Sequence, residues 1–250
     1  MNVTSKDGSI IGVEVAGDGP PMVLVHGTTA TRARWAPVLD RLASRFTVYA
    51  MDRRGRGLST AETVPYDIGR EGEDIAAVAE WAGGDVLVVA HSYGSLCSLE
   101  AALVTSAIGR MVLYEPPAAG TSPPPGILDT PDPATMLEMF YRQVLRVSEA
   151  DLAVIKTTPM WQIRLAAAPT MPREYEAVTA FEVSDRLSAI EVPVRLLLGT
   201  LSPPSFRPMA ERLAGLLRSA EIVELPGQDH LAIDRAPELF TEAVLGFCPR

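Results

Sequence analysis

The residues in this chain with the clearest capacity for chemistry are one serine and one late histidine. Ser92 follows the apolar segment 86–90, and the small residues Ala90 and Gly94 stand two positions before and after it. This spacing predicts a nucleophile elbow, a sharp turn from a strand into a helix that exposes the serine Oγ. A serine hydroxyl is a weak nucleophile at neutral pH and needs an imidazole to accept its proton. We expect His230, between a predicted strand and a predicted helix, to be that base.

The two other histidines are poorer candidates for this base. His91 is adjacent to Ser92, and its side chain should point away from the tip of the turn. His26 precedes a predicted turn and is expected to orient the backbone there through hydrogen bonds. We therefore predict structural roles for both.

The elements that must position these residues alternate in type along the chain. A chain of 250 residues is long enough for one sizeable α/β core. Alternating strands and helices predict a mostly parallel sheet with helices on both faces. The predicted elements are strands at 10–16, 22–25, 47–51, 86–90, 110–114, 194–198 and 221–225, and helices at 68–81, 96–104 and from about 237 to 247.

One long segment interrupts this alternation. Between Pro117 and Pro193 no buried strand is predicted, and proline-rich loops connect helical stretches at 135–147 and 148–156. A helical insertion after one strand would lie over the carboxyl ends of the strands, where ligands bind in such sheets. The predicted boundaries are 1–117 and 189–250 for the core and 118–188 for a helical cap.

Composition excludes several classes of partner. The formal net charge of −9 argues against nucleic acid, and no apolar run is long enough to span a bilayer. The first residues lack the basic-then-apolar layout of a signal peptide, so the cytoplasm is the default compartment. Neither Cys97 nor Cys248 has the neighbours of a metal site, and we expect no metal and no cofactor. The partner expected is a small-molecule substrate, and the sequence leaves the oligomeric state open.

Five short motifs together resemble those of the α/β-hydrolase family, in particular actinobacterial-type serine esterases. They are HGTT at 26–29, MDRRGRG at 51–57, HSYG at 91–94, LYEPP at 113–117 and PGQDH at 226–230. The resemblance covers essentially the whole chain and implies the α/β-hydrolase fold. It also implies an oxyanion hole made by the backbone N–H groups of Tyr93 and Thr28, or Thr29 in place of Thr28. For Asp52 it implies support of loop geometry rather than catalysis.

The sequence departs from the family at the acid that should hold the histidine. Relatives usually carry an aspartate where this chain has Leu201, and leucine cannot accept the imidazole N–H. Glu115, at the end of the preceding strand, is the natural substitute. A second possibility is that no carboxylate contacts His230, with Ser202 or water in its place. The remaining possibilities are the loop carboxylates Asp229, Asp234 and Asp185.

The leading hypothesis is a serine hydrolase acting on a small, mostly apolar ester, lactone or thioester, with Ser92 as nucleophile and His230 as base. The alternatives are a lyase or isomerase in which His230 moves protons, and a ligand-binding protein on the same scaffold. An epoxide hydrolase is disfavoured, because its family versions need aspartate at position 92. The candidate residues lining an apolar pocket in the cap are Met136, Met139, Phe140, Met160 and Trp161.

Overall fold

A mixed sheet forms the centre of the computed structural model, which describes residues 1–60 and 65–247. Within those residues eight strands pair in the order β1-β2-β4-β3-β5-β6-β7-β8. The pairs β1–β2 and β2–β4 are antiparallel, and the other pairs are parallel. This confirms the predicted mostly parallel sheet. The strands are β1 Asn2–Thr4, β2 Ile10–Ala16, β3 Pro21–Val25, β4 Thr47–Met51, β5 Val86–His91, β6 Ile108–Tyr114, β7 Val194–Gly199 and β8 Ala220–Leu225.

Helices cover both faces of the sheet because successive strand residues point to opposite sides. On β3, for example, Val23 and Val25 belong to one apolar cluster, whereas Met22 and Leu24 belong to the other. The helices are α1 Ala36–Ala43, α2 Ile68–Trp81, α3 Tyr93–Ala102, α4 Pro133–Met139, α5 Glu149–Thr157, α6 Pro159–Ala167, α7 Met171–Ala180, α8 Phe206–Leu216, α9 Ala232–Arg235 and α10 Pro237–Leu245.

Helices α4 to α7 occupy the connection from β6 to β7, in which the chain forms no strand. We call residues 118–188 the cap. Its apolar residues, among them Leu137 and Tyr141, form one cluster with Leu198, Phe206 and Leu231 of the core. The cap is thus packed directly on the part of the core that follows β7 and β8.

One predicted helix has a different form. A single helix is expected at 135–147. In the structure the α-helix α4 ends at Met139, and a π-helical turn follows at Phe140–Val144. Leu145 N donates to Phe140 O at 3.2 Å, a hydrogen bond that spans five residues. Such turns insert one extra residue and shift the side chains that follow, and they recur at functional sites. Apolar periodicity alone predicts the helical segment but not this change within it.

No helix in the described part of the chain combines the length and the apolar character needed to cross a bilayer.

Candidate active site

Ser92 lies at the junction of β5 and α3 in a backbone conformation that a serine rarely adopts, with φ of +54°. Its N–H donates to Tyr114 O at 2.8 Å, which ties the turn to the neighbouring strand. A Cβ at Gly94 would lie 2.6 Å from His26 O and 2.7 Å from Val25 O, so the turn needs glycine there. The structure therefore has the strained, tightly packed geometry predicted for the elbow.

Glu115 is the carboxylate that contacts His230. The Nδ1 atom of His230 lies 2.6 Å from Glu115 Oε2, and both side chains are buried. The other oxygen, Oε1, accepts from Gly199 N at 2.8 Å and from Ser202 Oγ. Glu115 has a φ of +49°, at the bend where the chain leaves β6. Because Nδ1–H donates to this carboxylate, Nε2 of the neutral ring is free to accept a proton.

Two of the three loop carboxylates considered from sequence bind arginines instead, and the third, Asp185, is exposed at the start of a 3-10 turn. Asp229 accepts from Arg235, and Asp234 accepts from Arg34 at 2.6 Å.

Leu201 does not face His230. Its side chain is 69% exposed, and its N–H donates to Gln228 O at 2.8 Å. The segment after β7 where an acid is expected instead contributes two donors, Gly199 N and Ser202 Oγ, to the carboxylate of Glu115.

Replacing Leu201 by aspartate should change kcat/KM by no more than about threefold, because an exposed substitution shifts free energies by about 0.5 kcal/mol. Glu115 already satisfies the Nδ1 atom of His230, so a second acid has no donor to bind. Steady-state ester hydrolysis by the two proteins measures this. If kcat/KM of the variant rose by about tenfold or more, the native protein would lack an effective acid that an aspartate at position 201 can supply.

Aromatic rings hold the histidine beside the elbow. The His230 ring stacks on Phe206 at a centroid distance of 4.8 Å and lies 4.5 Å from the ring of His91. Tyr114 supports the same loop, because its hydroxyl accepts from Ala232 N at 3.1 Å. Since His91 directly precedes Ser92, the histidine and the elbow are neighbours in space although they are far apart in sequence.

The turn after β3 also approaches the elbow closely. A Cβ at Gly27 would lie 2.9 Å from Ser92 Cβ, so only glycine permits this spacing. Thr28, the next residue, lines the same cavity as Ser92. Tyr93 is the first residue of α3, where backbone N–H groups have no partner within the helix. The two backbone donors predicted for an oxyanion hole are therefore both close to Ser92: Tyr93 follows it in the chain, and Thr28 belongs to the turn after β3 that packs against it.

A buried ion network fixes the loop after β4. Arg53 binds Glu71 of α2 at 2.7 Å and Glu174 of the cap at 2.8 Å. Its backbone N–H donates to His26 Nε2 at 3.1 Å, and Arg56 also binds Glu174. The network explains why the arginines cluster in sequence: they attach this loop to α2 and to the cap.

Asp52 has the structural role expected for it. Its Oδ1 accepts from Arg32 N at 2.7 Å, and its Oδ2 accepts from Leu58 N at 2.9 Å.

Burial keeps His91 and His26 neutral. Desolvation lowers the pKa of both rings well below 6.5, and the positive charge of nearby arginines adds to it, from Arg34 and Arg164 at His91 and from Arg53 and Arg56 at His26. Both interact with the site through ring contacts or backbone hydrogen bonds, in line with structural roles.

These two histidines should make the protein less stable in mild acid. Their folded-state pKa lies below the unfolded value near 6.5, so the unfolded chain binds more protons as pH falls below that value. The free energy of unfolding should be constant above pH 7 and fall by up to about 3 kcal/mol at pH 5.5. Urea titrations across this range measure it. His91→Gln should remove about half of the slope, and a flat wild-type profile would contradict the assignment.

The cavity at Ser92 is small and apolar. It measures about 50 Å³, and Thr28, Phe140, Val178 and Phe206 are among the residues that line it. Of the five lining residues proposed from sequence, the structure brings Phe140 to this cavity. Met160 lines a second cavity, and Met136, Met139 and Trp161 lie in the apolar cluster of the cap.

Sequence reasoning did not single out Phe206 or Glu174, which both line the Ser92 cavity. Phe206 follows the proline pair after Ser202, where an aromatic residue close to the expected acid position is a usable signal. No sequence feature marks Glu174 as a residue of the cavity, because a glutamate in a predicted cap helix is expected to be exposed to solvent.

Within residues 1–60 and 65–247 no cluster of three or more His, Cys, Asp or Glu side chains could hold a metal ion. Cys97 is a buried free thiol in the apolar cluster beneath α3, and Cys248 lies outside the described residues.

Comparison with known proteins gives consistent matches. The model of the alpha/beta hydrolase family matches residues 22–243. The chain is 34% identical to an alpha/beta hydrolase from Sphaerobacter thermophilus whose crystal structure superposes with a TM-score of 0.85 over 99% of both chains. It is 28% identical to an N-formylmaleamate deformylase of Pseudomonas putida, covering 78% of this chain and 77% of that one. A 2-(acetamidomethylene)succinate hydrolase of Mesorhizobium japonicum is 38% identical over 93 residues, 37% of this chain and 34% of the relative.

Proposed function

Because the chain belongs to the alpha/beta hydrolase family, we propose that it is a serine hydrolase that cleaves a small, mostly apolar ester, lactone or thioester. The family assignment makes it an enzyme with hydrolase activity, and the mechanism and the substrate class are the proposal. The observation that carries the proposal is the 2.6 Å contact of Glu115 with His230 beside the elbow that holds Ser92.

In the proposed mechanism Ser92 Oγ attacks the carbonyl carbon while His230 Nε2 accepts its proton. The backbone N–H groups of Tyr93 and Thr28 bind the negative charge that develops on the carbonyl oxygen. His230 then donates the proton to the leaving group, and an acyl-enzyme remains on Ser92. A water molecule, deprotonated by the same histidine, releases the acid. Glu115 holds the imidazole and stabilises its protonated form.

Glu115 widens the range of substrates that the site can process. In well-studied triads loss of the acid costs about 10⁴-fold in kcat, or about 5.4 kcal/mol of barrier. A chain lacking this carboxylate would be restricted to activated substrates. With Glu115 on His230, alkyl esters come within reach as well.

The size of the cavity supports a short acyl group. The cavity of about 50 Å³ is lined by the bulky side chains of Phe140, Val144 and Phe206, which favour a short acyl chain over a long one. The relative from Pseudomonas putida is, by its name, a deformylase, which agrees with a small acyl group on this scaffold.

Hydrolysis of p-nitrophenyl esters of increasing acyl length tests the proposal. We expect turnover of the acetate ester, with kcat/KM at least about tenfold above that of the octanoate ester, because each added methylene must fit among the apolar side chains that line a small cavity. Butyrolactone and a short acyl thioester extend the panel. Folded protein that hydrolyses none of these compounds would contradict the proposal and favour proton-transfer chemistry or ligand binding at the same site.

A further inference from the structure

A second cavity, of about 390 Å³, lies between the cap and the core. Tyr141 and Arg164 line it from the cap, and Leu231 lines it from the core. Residues adjacent in sequence link its lining to the site: Phe140 lines the Ser92 cavity and Tyr141 lines the second one, and Leu231 directly follows His230.

Arg164 is an unusual residue in the wall of this cavity. It is only 8% exposed, and no carboxylate or carbonyl oxygen of the described chain binds its guanidinium. Its protein contact is with Tyr141, whose ring centroid lies 5.7 Å from the guanidinium carbon. Burying an unpaired cation is costly, so its retention next to a cavity calls for a ligand of opposite charge.

Arg34 adds a second buried cation nearby. It is 1% exposed, and one of its nitrogens, Nη1, donates to Asp234 at 2.6 Å. Its Nε and Nη2 are buried without a partner in the described chain. After desolvation, the positive charges of Arg34 and Arg164 are among the causes that lower the pKa of the buried His91 ring.

The acidic groups of the cavity do not neutralise Arg164. Asp234 and Asp151 are about half exposed, and each already binds an arginine, Arg34 and Arg235 respectively. Arg235 also binds Asp229. The carboxylates that line the cavity therefore already have arginine partners, whereas Arg164 has no carboxylate partner in the described chain.

We propose that this second cavity binds a carboxylate group of the substrate, with the guanidinium of Arg164 as its main donor. A planar carboxylate matches the fork of a guanidinium, and Tyr141 carries a hydroxyl that can donate to it. Asp151 and Asp234 also line the cavity, and their negative charge favours a ligand with a single negative charge over a dianion such as a phosphate. The inference rests on the proposed function and narrows it: the preferred substrate is a half-ester, with an ester at Ser92 and a free carboxylate at Arg164.

A pair of matched esters tests this specificity. Monomethyl glutarate carries the carboxylate, and dimethyl glutarate replaces it with a neutral ester. Arg164→Met should lower kcat/KM for the half-ester by about 10- to 100-fold, mainly through KM, since a hydrogen-bonded charge pair is lost. The diester should change by less than about threefold. Arg142→Met is the control, because Arg142 binds Glu138 and Glu149 on the exposed surface of the cap.

Calorimetry on a Ser92→Ala background separates binding from hydrolysis. The single variant should bind monomethyl glutarate, and the Ser92→Ala/Arg164→Met double variant should not. Equal losses for both esters, or binding that survives the Arg164 substitution, would overturn the inference while leaving ester hydrolysis intact. Arg164-dependent binding by a protein that hydrolyses neither ester would support the carboxylate site and count against the hydrolase proposal.

Discussion

Replacing Ser92 by alanine should reduce kcat for a short-chain ester by about 10⁶-fold, to the residual rate that binding and the oxyanion donors supply. The Oγ atom is the proposed nucleophile, so no acyl-enzyme can form without it. Alanine is smaller than serine, and the strained φ of +54° is a property of the turn, so the fold should persist. Stopped assays on highly purified protein measure the residual rate.

Ser98→Ala is the matched control for this variant. Ser98 is a buried serine on the same helix, and its hydroxyl donates to Gly94 O at 2.8 Å without reaching the cavity. We expect its kcat to remain within about threefold of wild type. Comparable losses in both variants would show that perturbing the helix, rather than removing a nucleophile, causes the effect.

Replacing Glu115 by glutamine should lower kcat by about 10⁴-fold. Gly199 N–H and Ser202 Oγ–H donate to Oε1, so the amide oxygen of glutamine should occupy that position. The amide NH₂ group then faces His230 Nδ1 and donates to it. This fixes the histidine tautomer that carries its proton on Nε2, which cannot accept a proton from Ser92. Rotating the amide is disfavoured, because it would place NH₂ against the N–H of Gly199.

Glu176→Gln is the control for this substitution, because Glu176 is an exposed glutamate on a cap helix. Its kcat should be unchanged, and thermal unfolding should show that both variants are folded. A Glu115→Gln variant with kcat within about tenfold of wild type would end the assignment of this carboxylate to the histidine.

The fold was largely predictable because its signals are local. Apolar runs that end at polar residues predict β5 and β6, and the small residues around Ser92 predict the turn. The helix predicted at 135–147 is an α-helix only as far as Met139, because the chain continues as a π-helical turn at Phe140–Val144, and a short apolar pattern does not reveal the extra residue of that turn.

The sequence limits the candidates for the hydrogen-bond partner of His230 to a few residues but does not identify which one contacts the ring. The choice depends on two features that no local pattern encodes. One is the positive φ of Glu115 at the end of β6, and the other is the pairing of β6 with β7, which brings Gly199 N to its carboxylate. No local sequence pattern predicts the unpaired guanidinium of Arg164 either. It depends on the packing of the cap on the core, which leaves this side chain without a carboxylate partner.

The central claim is that Ser92 and His230 form one nucleophilic unit although 138 positions apart in the chain (230 minus 92). Labelling with a fluorophosphonate, followed by peptide mass spectrometry, tests it most directly. We predict a single adduct on Ser92, absent from Ser92→Ala and formed far more slowly in His230→Ala. Folded wild-type protein that stays unlabelled, or reacts at another residue, would contradict the account.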